Sequence, residues 1–263
     1  MRNLLRMDLY RMVRQKTLWL FSGIIFVMTF AAPLLTRLFT TLLMGLAGEE
    51  SVTFDPIPLS TILRAPFGGL TSLLVFFTVF SAVFFYADLS HGYIKNLAGH
   101  FPRISMLSVS KFVVILLPMT IMFFVALLGS LLGNLIAFGI DFDDSIGNGV
   151  LEFLTKMLMA WAVVSVVLLF SAGIRNKTLG IILGVFLGAG MMTILYVPIN
   201  LVFQKLFKME NFFVNNYLPD QLLTLANMEQ YGVNLLNGVI SSVIIIILCV
   251  ALTMLLNSKK DIK

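Results

Sequence analysis

The chain has 263 residues, of which 59% are hydrophobic and only 12% are charged, and its mean hydropathy is +0.99. A composition this apolar commits almost the whole sequence to a bilayer and leaves no loop long enough to fold as a separate soluble domain. The net charge of +5 is therefore interpreted as a membrane signature rather than as evidence of nucleic-acid binding.

Six long apolar runs follow one another along the chain, each near or above the ~20 residues that an α-helix needs to cross a hydrocarbon core. They are residues 17–35, 67–87, 112–138, 151–174, 178–202 and 235–257. No water in that core can satisfy backbone groups, and the runs lack the alternation of barrel strands, so they are predicted to be helices. The sequence thus predicts an all-α integral membrane protein with six transmembrane helices in a single domain, 1–263.

Basic residues cluster in every second gap between these runs. The N-terminus, the gaps after spans two and four, and the C-terminus hold 13 of the 18 lysines and arginines. Because lysine and arginine are concentrated on the cytoplasmic side of membrane proteins, we expect both termini to be cytoplasmic. The first run is long and lacks a small-residue cleavage pattern, so it is interpreted as span one rather than a signal peptide.

Residues 1–16 carry a helical pattern before the first span. Leu5, Leu9, Met12 and Val13 share one face at about 100° per residue, and Arg11 and Arg14 fall on another. This pattern predicts an amphipathic elbow helix lying in the headgroup plane, with a simple basic anchor as the alternative. Beyond span one, Arg37 is expected to reach the outer interface, and the three prolines of residues 48–66 are expected to interrupt any helix.

Residues 88–111 are predicted to form a polar cytoplasmic loop, and they contain both histidines, His91 and His100. Glycine and proline breaks divide it into two short pieces, as expected for a protruding element. Two histidines nine residues apart, without carboxylates or cysteines nearby, make a poor metal site, so no metal is predicted.

The gap after span three is acidic. Asp141, Asp143, Ser145 and Glu152 are spaced like ligands of a calcium loop, but Ile146 stands where the sharp turn requires glycine, so an acidic turn is the favoured interpretation. Glu152 and Lys156 are four residues apart and are expected to pair on span four, with a role in a substrate path as the alternative.

Small residues recur at four-residue spacing in two spans. Gly129 and Gly133 form one such pair in span three, and Gly180, Gly184 and Gly188 form a row in span five. Small residues let helix backbones approach closely in lipid, which predicts either packing within the chain or a subunit interface. The segment 203–234 is amphipathic and aromatic, and it predicts short extracellular helices, with Asp220 as a helix N-cap.

Motifs of known catalytic sites do not occur in the sequence: it has no G-x-x-x-x-G-K-[ST], no H-E-x-x-H and no G-x-S-x-G. The chain itself is therefore expected not to be an enzyme. Cys249 is the single cysteine and is interpreted as a packing residue.

Two short motifs resemble one family of membrane proteins. These are Met7-Asp8-Leu9-Tyr10-Arg11 with Arg14-Gln15-Lys16, and Gly92-Tyr93-Ile94-Lys95-Asn96 with Pro102-Arg103 and Ser110-Lys111. Together with the six spans, they resemble the permease subunits of ABC exporters of the ABC-2 type, also called type V exporters. Within this family, the chain looks most like bacterial permeases for peptides and for lantibiotic immunity. This resemblance implies a multi-pass protein of the bacterial cytoplasmic membrane.

The resemblance implies roles for three sets of residues. The elbow helix would use Leu5, Asp8, Leu9, Arg11 and Arg14. A coupling helix that docks onto the ATPase would use Gly92, Tyr93, Ile94, Lys95, Asn96, His100, Pro102 and Arg103. Spans two and five would line the pore with Phe76, Phe77, Phe80, Phe84, Met191, Met192 and Tyr196, although these side chains would equally suit packing against helices or lipid.

By the same resemblance, two such permeases pair, as a homodimer or with a sister chain, and each contacts a cytoplasmic ABC ATPase. ATP and magnesium would bind to that partner, and this chain would hold no cofactor of its own. Peptides or other amphipathic molecules would be the exported substrates. Two alternatives from other classes are a non-transporting membrane scaffold or sensor and an ion-coupled secondary transporter.

Overall fold

The computed structural model describes residues 2–47, 54–66, 73–90, 104–174, 176–206, 213–223, 225 and 235–258. Helices dominate this part of the chain: α1 Arg2–Val13, α2 Lys16–Leu46, α3 Leu59–Arg64, α4 Leu74–Ser90, α5 Ile104–Ala137, α6 Ile146–Leu168, α7 Lys177–Gly188, α8 Thr193–Leu206, α9 Pro219–Leu222 and α10 Leu235–Ser258. A π-helical turn, Leu169–Gly173, continues α6, and Val214–Asn216 forms a 3₁₀ turn. Strands β1 (Ile57–Pro58) and β2 (Ile140–Asp141) pair in parallel.

Four helices of the described residues are long and apolar enough to cross a membrane. They are α2, the Val109–Ala137 part of α5, α6 with its π-turn, and α10. A fifth span results if the bent pair α7 and α8 is counted as one. The apolar part of α4, Leu74–Phe84, is shorter, and residues 67–72 of the predicted second span lie outside the described residues. The prediction of a multi-pass all-α membrane protein is confirmed, and the count of six stays a prediction.

Three pairs of helices build the bundle: α2 lies along α5, α4 along α7, and α10 along α6. Small residues allow the first two contacts. A Cβ on Gly133 would meet the backbone of Phe30 on α2, and a Cβ on Gly188 would lie 2.6 Å from the backbone nitrogen of Val75 on α4. The five glycines predicted from their spacing therefore face neighbouring segments of the same chain.

The predicted fifth span is not one continuous helix. Helix α7 ends at Gly188, residues 189–192 form a turn, and α8 follows at an angle of 73° to α7. Gly190 has φ +70°, its N–H donates to the Leu187 carbonyl, and the Met191 N–H donates to the Phe186 carbonyl. This is the glycine-terminated helix end in which two otherwise unpaired carbonyls are satisfied, and it explains why the helix stops here.

The loop after α2 also differs from the prediction. A short helix, α3, forms between Pro58 and Pro66, where the prolines were expected to prevent one. Its first turn is held from another loop, because Asp143 accepts hydrogen bonds from the backbone N–H (3.1 Å) and hydroxyl (2.6 Å) of Ser60. Proline is compatible with the beginning of a helix and is unfavourable only in its interior. The prolines at 58 and 66 therefore limit the length of α3 but do not prevent it.

Helix α1 packs more deeply than an interfacial helix was expected to. Met12 and Asp8 are fully buried, Leu5 and Leu9 pack against the core, and Val13 of the predicted apolar face is 40% exposed. The face of α1 that packs into the bundle therefore differs from the predicted apolar face: it includes the Asp8 carboxylate and leaves Val13 exposed. An interfacial position of α1 stays a prediction, whereas its contact with α5 is a feature of the fold.

Candidate functional site

A buried ionic cluster joins α1 to the beginning of α5 and the end of α4. Lys111 Nζ lies 2.8 Å from Asp8 Oδ1, and neither side chain is exposed to solvent. Arg11 and Lys111 also lie over the ring of Phe84, at 5.7 and 5.8 Å from its centroid. We call Asp8, Arg11, Phe84 and Lys111 the Asp8–Lys111 cluster.

Two members of this cluster, Phe84 and Lys111, lie on the two helices that flank the predicted coupling segment. Helix α4 ends at Ser90 and α5 begins at Ile104, so the cluster fastens α1 to the two helices that flank residues 91–103. The predicted coupling residues Gly92, Tyr93, Ile94, Lys95, Asn96, His100, Pro102 and Arg103 all lie outside the described residues. Arg14 directly follows α1, is exposed, and lies over the ring of Tyr10 at 4.4 Å from its centroid.

Sequence reasoning placed Asp8 on the elbow helix but missed its partner, 103 positions away. Removing one member of a buried ion pair leaves the other charge uncompensated, at a cost of about 3–5 kcal/mol. Because both side chains are 0% exposed, substitution of either charge alone is expected to weaken the contact between α1 and α5. The available sequence signal was an acidic residue inside an otherwise basic helix.

A second ionic cluster lies at the other end of α5, where α6 begins. The predicted pair is confirmed: Lys156 Nζ lies 3.2 Å from Glu152 Oε1. Lys156 also donates to the backbone carbonyls of Arg64 and Leu225, and Arg64 Nε lies 3.6 Å from Glu152 Oε2. These four residues form the Glu152–Lys156 cluster, which ties α3 and the segment after α9 to α6.

An apolar cavity of about 280 Å³ lies between α6, α7, α8, α9 and α10. Its lining residues are Ala162, Val163, Val166, Phe170, Leu183, Leu187, Met192, Tyr196, Leu218, Pro219, Asp220 and Ile245. Among the described lining residues, Asp220 supplies the one carboxylate, and its side chain is 4% exposed. The described part of the cavity wall is thus apolar, with an acid at its edge.

Asp220 is held by neutral donors. Its Oδ2 accepts hydrogen bonds from the Tyr196 hydroxyl at 3.0 Å and from the Gln221 side-chain amide at 3.1 Å. Burial raises the pKa of the Asp220 carboxyl above its ordinary value. The prediction that Asp220 caps a helix was wrong: Leu218 occupies the N-cap position, Asp220 is in the first turn of α9, and the helix ends at Leu222.

The candidate pore residues fall into two places. Phe77, Phe80 and Phe84 are buried inside the chain, where Phe77 contacts Phe123 of α5 at 6.2 Å between ring centroids. Phe76, by contrast, is partly buried, and it and Phe80 pack against Phe21 of α2. Met192 and Tyr196 line the cavity, whereas Met191 is 49% exposed. A common role for these residues in a pore stays a prediction.

The acidic turn contains a well-bonded carboxylate. Asp143 accepts hydrogen bonds from Ser145 and from Ser60, and these bonds hold the pKa of its carboxyl well below the ordinary value. Within the described ranges, no group of three or more histidine, cysteine or acidic side chains is placed to hold a metal ion. In the described structure, the carboxylate of this turn thus binds Ser60 and holds the beginning of α3 in place.

The sequence model of the ABC-2 family transporter proteins matches residues 14–191, which is the greater part of the chain. Neither curated proteins nor solved structures provide a match. The matched region begins after α1, includes α2 to α7, and ends in the bend between α7 and α8. With its membrane-length helices, this chain belongs to the ABC-2 family and is a multi-pass membrane permease of an ABC transporter.

Proposed function

We propose that the chain is the permease subunit of an ATP-driven exporter of peptides or other amphipathic molecules. The family match over residues 14–191 carries this proposal, and membership implies association with an ABC ATPase subunit. ATP and magnesium bind to that partner, since this sequence has no phosphate-binding loop motif. The chain supplies no catalytic residue and holds no cofactor of its own.

Two copies of the permease, or this chain and a sister chain, form the translocation path by alternating access. The segment 92–103 docks onto the ATPase, with Lys95 and Arg103 supplying positive charge. The Asp8–Lys111 cluster supports this step, because it joins α1 and α4 to α5 on either side of that segment. A displacement of the segment is then shared by three helices instead of being absorbed by one.

Amphipathic cargo suits the chemistry of the chain. The cavity beside the bend is lined almost entirely by aliphatic, aromatic and methionine side chains. Met192 belongs to this lining, and methionine adapts its shape to varied apolar surfaces. Peptides, including those of lantibiotic-immunity systems, are the substrates that we propose on this basis.

An ion-coupled secondary transporter is the second candidate function, and one observation favours it. Asp220 is a buried carboxylate with a raised pKa, which is the kind of group that a proton-coupled carrier requires. The two mechanisms differ in energy source. ATP depletion stops an ABC exporter, whereas an ionophore stops a proton-coupled carrier while ATP is still present.

Affinity purification of the tagged chain in mild detergent tests the proposal. We expect an ABC ATPase to accompany the wild-type chain in stoichiometric amount and to be lost from the Lys95→Glu, Arg103→Glu variant. The matched control is Lys259→Glu, Lys260→Glu, which makes the same charge change near the C-terminus and retains the ATPase. Recovery of the chain alone, or equal loss from both variants, would contradict the coupling role and favour a scaffold or sensor.

A further inference from the structure

The edge of the cavity holds an acid, Asp220, whose hydrogen-bond partners among the described residues are neutral. Asp220 is 4% exposed, and the described residues that contact its carboxylate are neutral: Tyr196 and Gln221. A buried carboxylate without a cation is costly in a medium of low dielectric constant. Ionisable groups buried in membrane proteins commonly mark substrate or ion pathways.

The neighbours of Asp220 are arranged as donors toward it. The Thr193 hydroxyl donates to Gln221 Oε1 at 2.7 Å, so the amide nitrogen of Gln221 is directed at Asp220. Tyr196 donates from the next turn of α8. Because the described neighbours of Asp220 donate hydrogen bonds and carry no positive charge, the site is complementary to a further donor that is cationic.

The bend between α7 and α8 creates the space next to this acid. Residues 189–192 leave the helical path, and the following turn brings Met192 and Tyr196 to the cavity wall. The hydrogen bonds of the Gly190 and Met191 amides to Leu187 and Phe186 satisfy the bend internally. In membrane proteins, irregular backbone is tolerated where it is buried or lines a cavity, and discontinuous helices commonly form substrate sites.

The size and lining of the cavity define the rest of the ligand. Apart from Tyr196 and Asp220, each lining residue is hydrocarbon, aromatic or thioether in character. A cavity of about 150 Å³ holds benzene, so a volume of about 280 Å³ accommodates an alkyl or aromatic group nearly twice that size.

We propose that this cavity, called the Asp220 site, binds a cationic amphiphile, with an ammonium group at Asp220 and an apolar group of side-chain or short alkyl size among the α6, α7 and α10 residues. The inference rests on the proposed function and names the substrate class of the exporter. An apolar peptide residue next to a lysine or to the N-terminal amine presents this combination. Asp220 acts in recognition, and the apolar wall excludes water from the contact.

Photolabelling of the wild-type chain, with any associated ATPase, in phosphatidylcholine nanodiscs tests the proposal. The probe is octylamine carrying a diazirine on its chain, and octanol with the same group is the neutral counterpart. We expect octylamine to label residues of the cavity wall and to reach half-saturation at about tenfold lower concentration than octanol. Equal half-saturation, or labelling confined to other regions, would overturn the proposal.

Two variants separate recognition from general partitioning into lipid. Asp220→Asn is expected to bring octylamine to the half-saturation of octanol, and Val166→Trp, which fills the cavity, to remove labelling by both. The matched control is Asp143→Asn, a carboxylate of the acidic turn, which keeps the wild-type preference. An unchanged preference in Asp220→Asn, or the same loss in Asp143→Asn, would overturn the proposal.

A pH series on the wild-type chain gives a test that does not depend on the folding of a variant. As the pH falls, protonation of Asp220 removes the negative charge, and octylamine labelling is expected to weaken toward that of octanol. Apart from Asp220, Tyr196 is the titratable group in the described lining, and it is neutral throughout this range. A preference for octylamine that does not change with pH would overturn the proposal.

This assay does not use ATP, so the two proposals fail separately. If the Asp220 site prefers octylamine but no ATPase co-purifies, the site stands and the exporter proposal falls. If the ATPase co-purifies and octylamine is not preferred, the exporter proposal stands and the Asp220 site falls.

Discussion

The ionic clusters at the two ends of α5 are built differently. Asp8 and Lys111 lie on separate helices, and their side chains are completely buried. Glu152 and Lys156 lie one turn apart on α6, and Lys156 is also bound by the carbonyls of Arg64 and Leu225. The first cluster joins two helices through an ion pair that is completely buried, whereas the second joins α3 and the segment after α9 to α6 through an ion pair and backbone hydrogen bonds. Because both charges of the first pair are completely buried, we expect this cluster to be more sensitive to a single substitution.

Lys111→Met is expected to have the largest effect. It leaves the Asp8 carboxylate buried without the ammonium that compensates it, at a cost of about 3–5 kcal/mol. Thermal unfolding in detergent, followed by loss of helical circular dichroism, measures the change. The Asp8→Leu, Lys111→Met double variant is the control, since replacing both charges by apolar groups is often neutral. A single variant as stable as the wild type, or a double variant as unstable as the single, would count against this description.

Glu152→Gln is expected to cost less, about 1–3 kcal/mol. The amide still accepts a hydrogen bond, and Lys156 keeps its two backbone acceptors. The same unfolding experiment ranks the two ends directly. A loss as large as that of Lys111→Met would show that the Glu152–Lys156 cluster depends on its ion pair as strongly as the other cluster does.

Gly188→Ala tests the close contact between α4 and α7. Its Cβ would meet the backbone of Val75, and overpacking of this kind costs about 1–3 kcal/mol. Gly23→Ala is the matched control, since nothing lies within 4 Å of a Cβ there and alanine favours a helix by up to about 1 kcal/mol. Equal unfolding temperatures for the two variants would refute the close approach.

Asp143→Asn is expected to have the smallest effect, and a pH-dependent one. Hydrogen bonds from Ser145 and Ser60 lower the pKa of Asp143 in the folded chain. The stabilisation is therefore complete above about pH 4, the ordinary range of an aspartate, and it decreases as the pH falls toward the lowered pKa. The difference in unfolding temperature between wild type and variant should shrink below pH 4. A constant difference would contradict the assignment.

The sequence was sufficient to predict features that depend on local spacing. Apolar runs predicted the membrane-length helices, the spacing of Glu152 and Lys156 predicted their pair, and the glycine rows predicted close contacts. Each follows from helix geometry alone, because residues four apart lie on one face. The family resemblance came from short motifs and was confirmed over residues 14–191.

Features that join distant parts of the chain were missed. Lys111 lies 103 positions from Asp8, and Tyr196 lies 24 positions from Asp220 across the bend. No local pattern fixes such pairs, because they depend on the packing of whole helices. The bend itself had a local signal, since Gly190 follows Gly188 closely, but the uninterrupted apolar character of residues 178–202 favoured one span.

Transport by the reconstituted complex tests the central claim most directly. The chain and its co-purified ATPase are placed in lipid vesicles with the ATPase outward, and uptake of a fluorescent peptide with lysine and leucine residues is measured. We predict that the peptide accumulates with ATP and magnesium, is not taken up with a non-hydrolysable ATP analogue, and is unaffected by a proton ionophore. Accumulation that continues without ATP and is abolished by the ionophore would contradict an ATP-driven exporter.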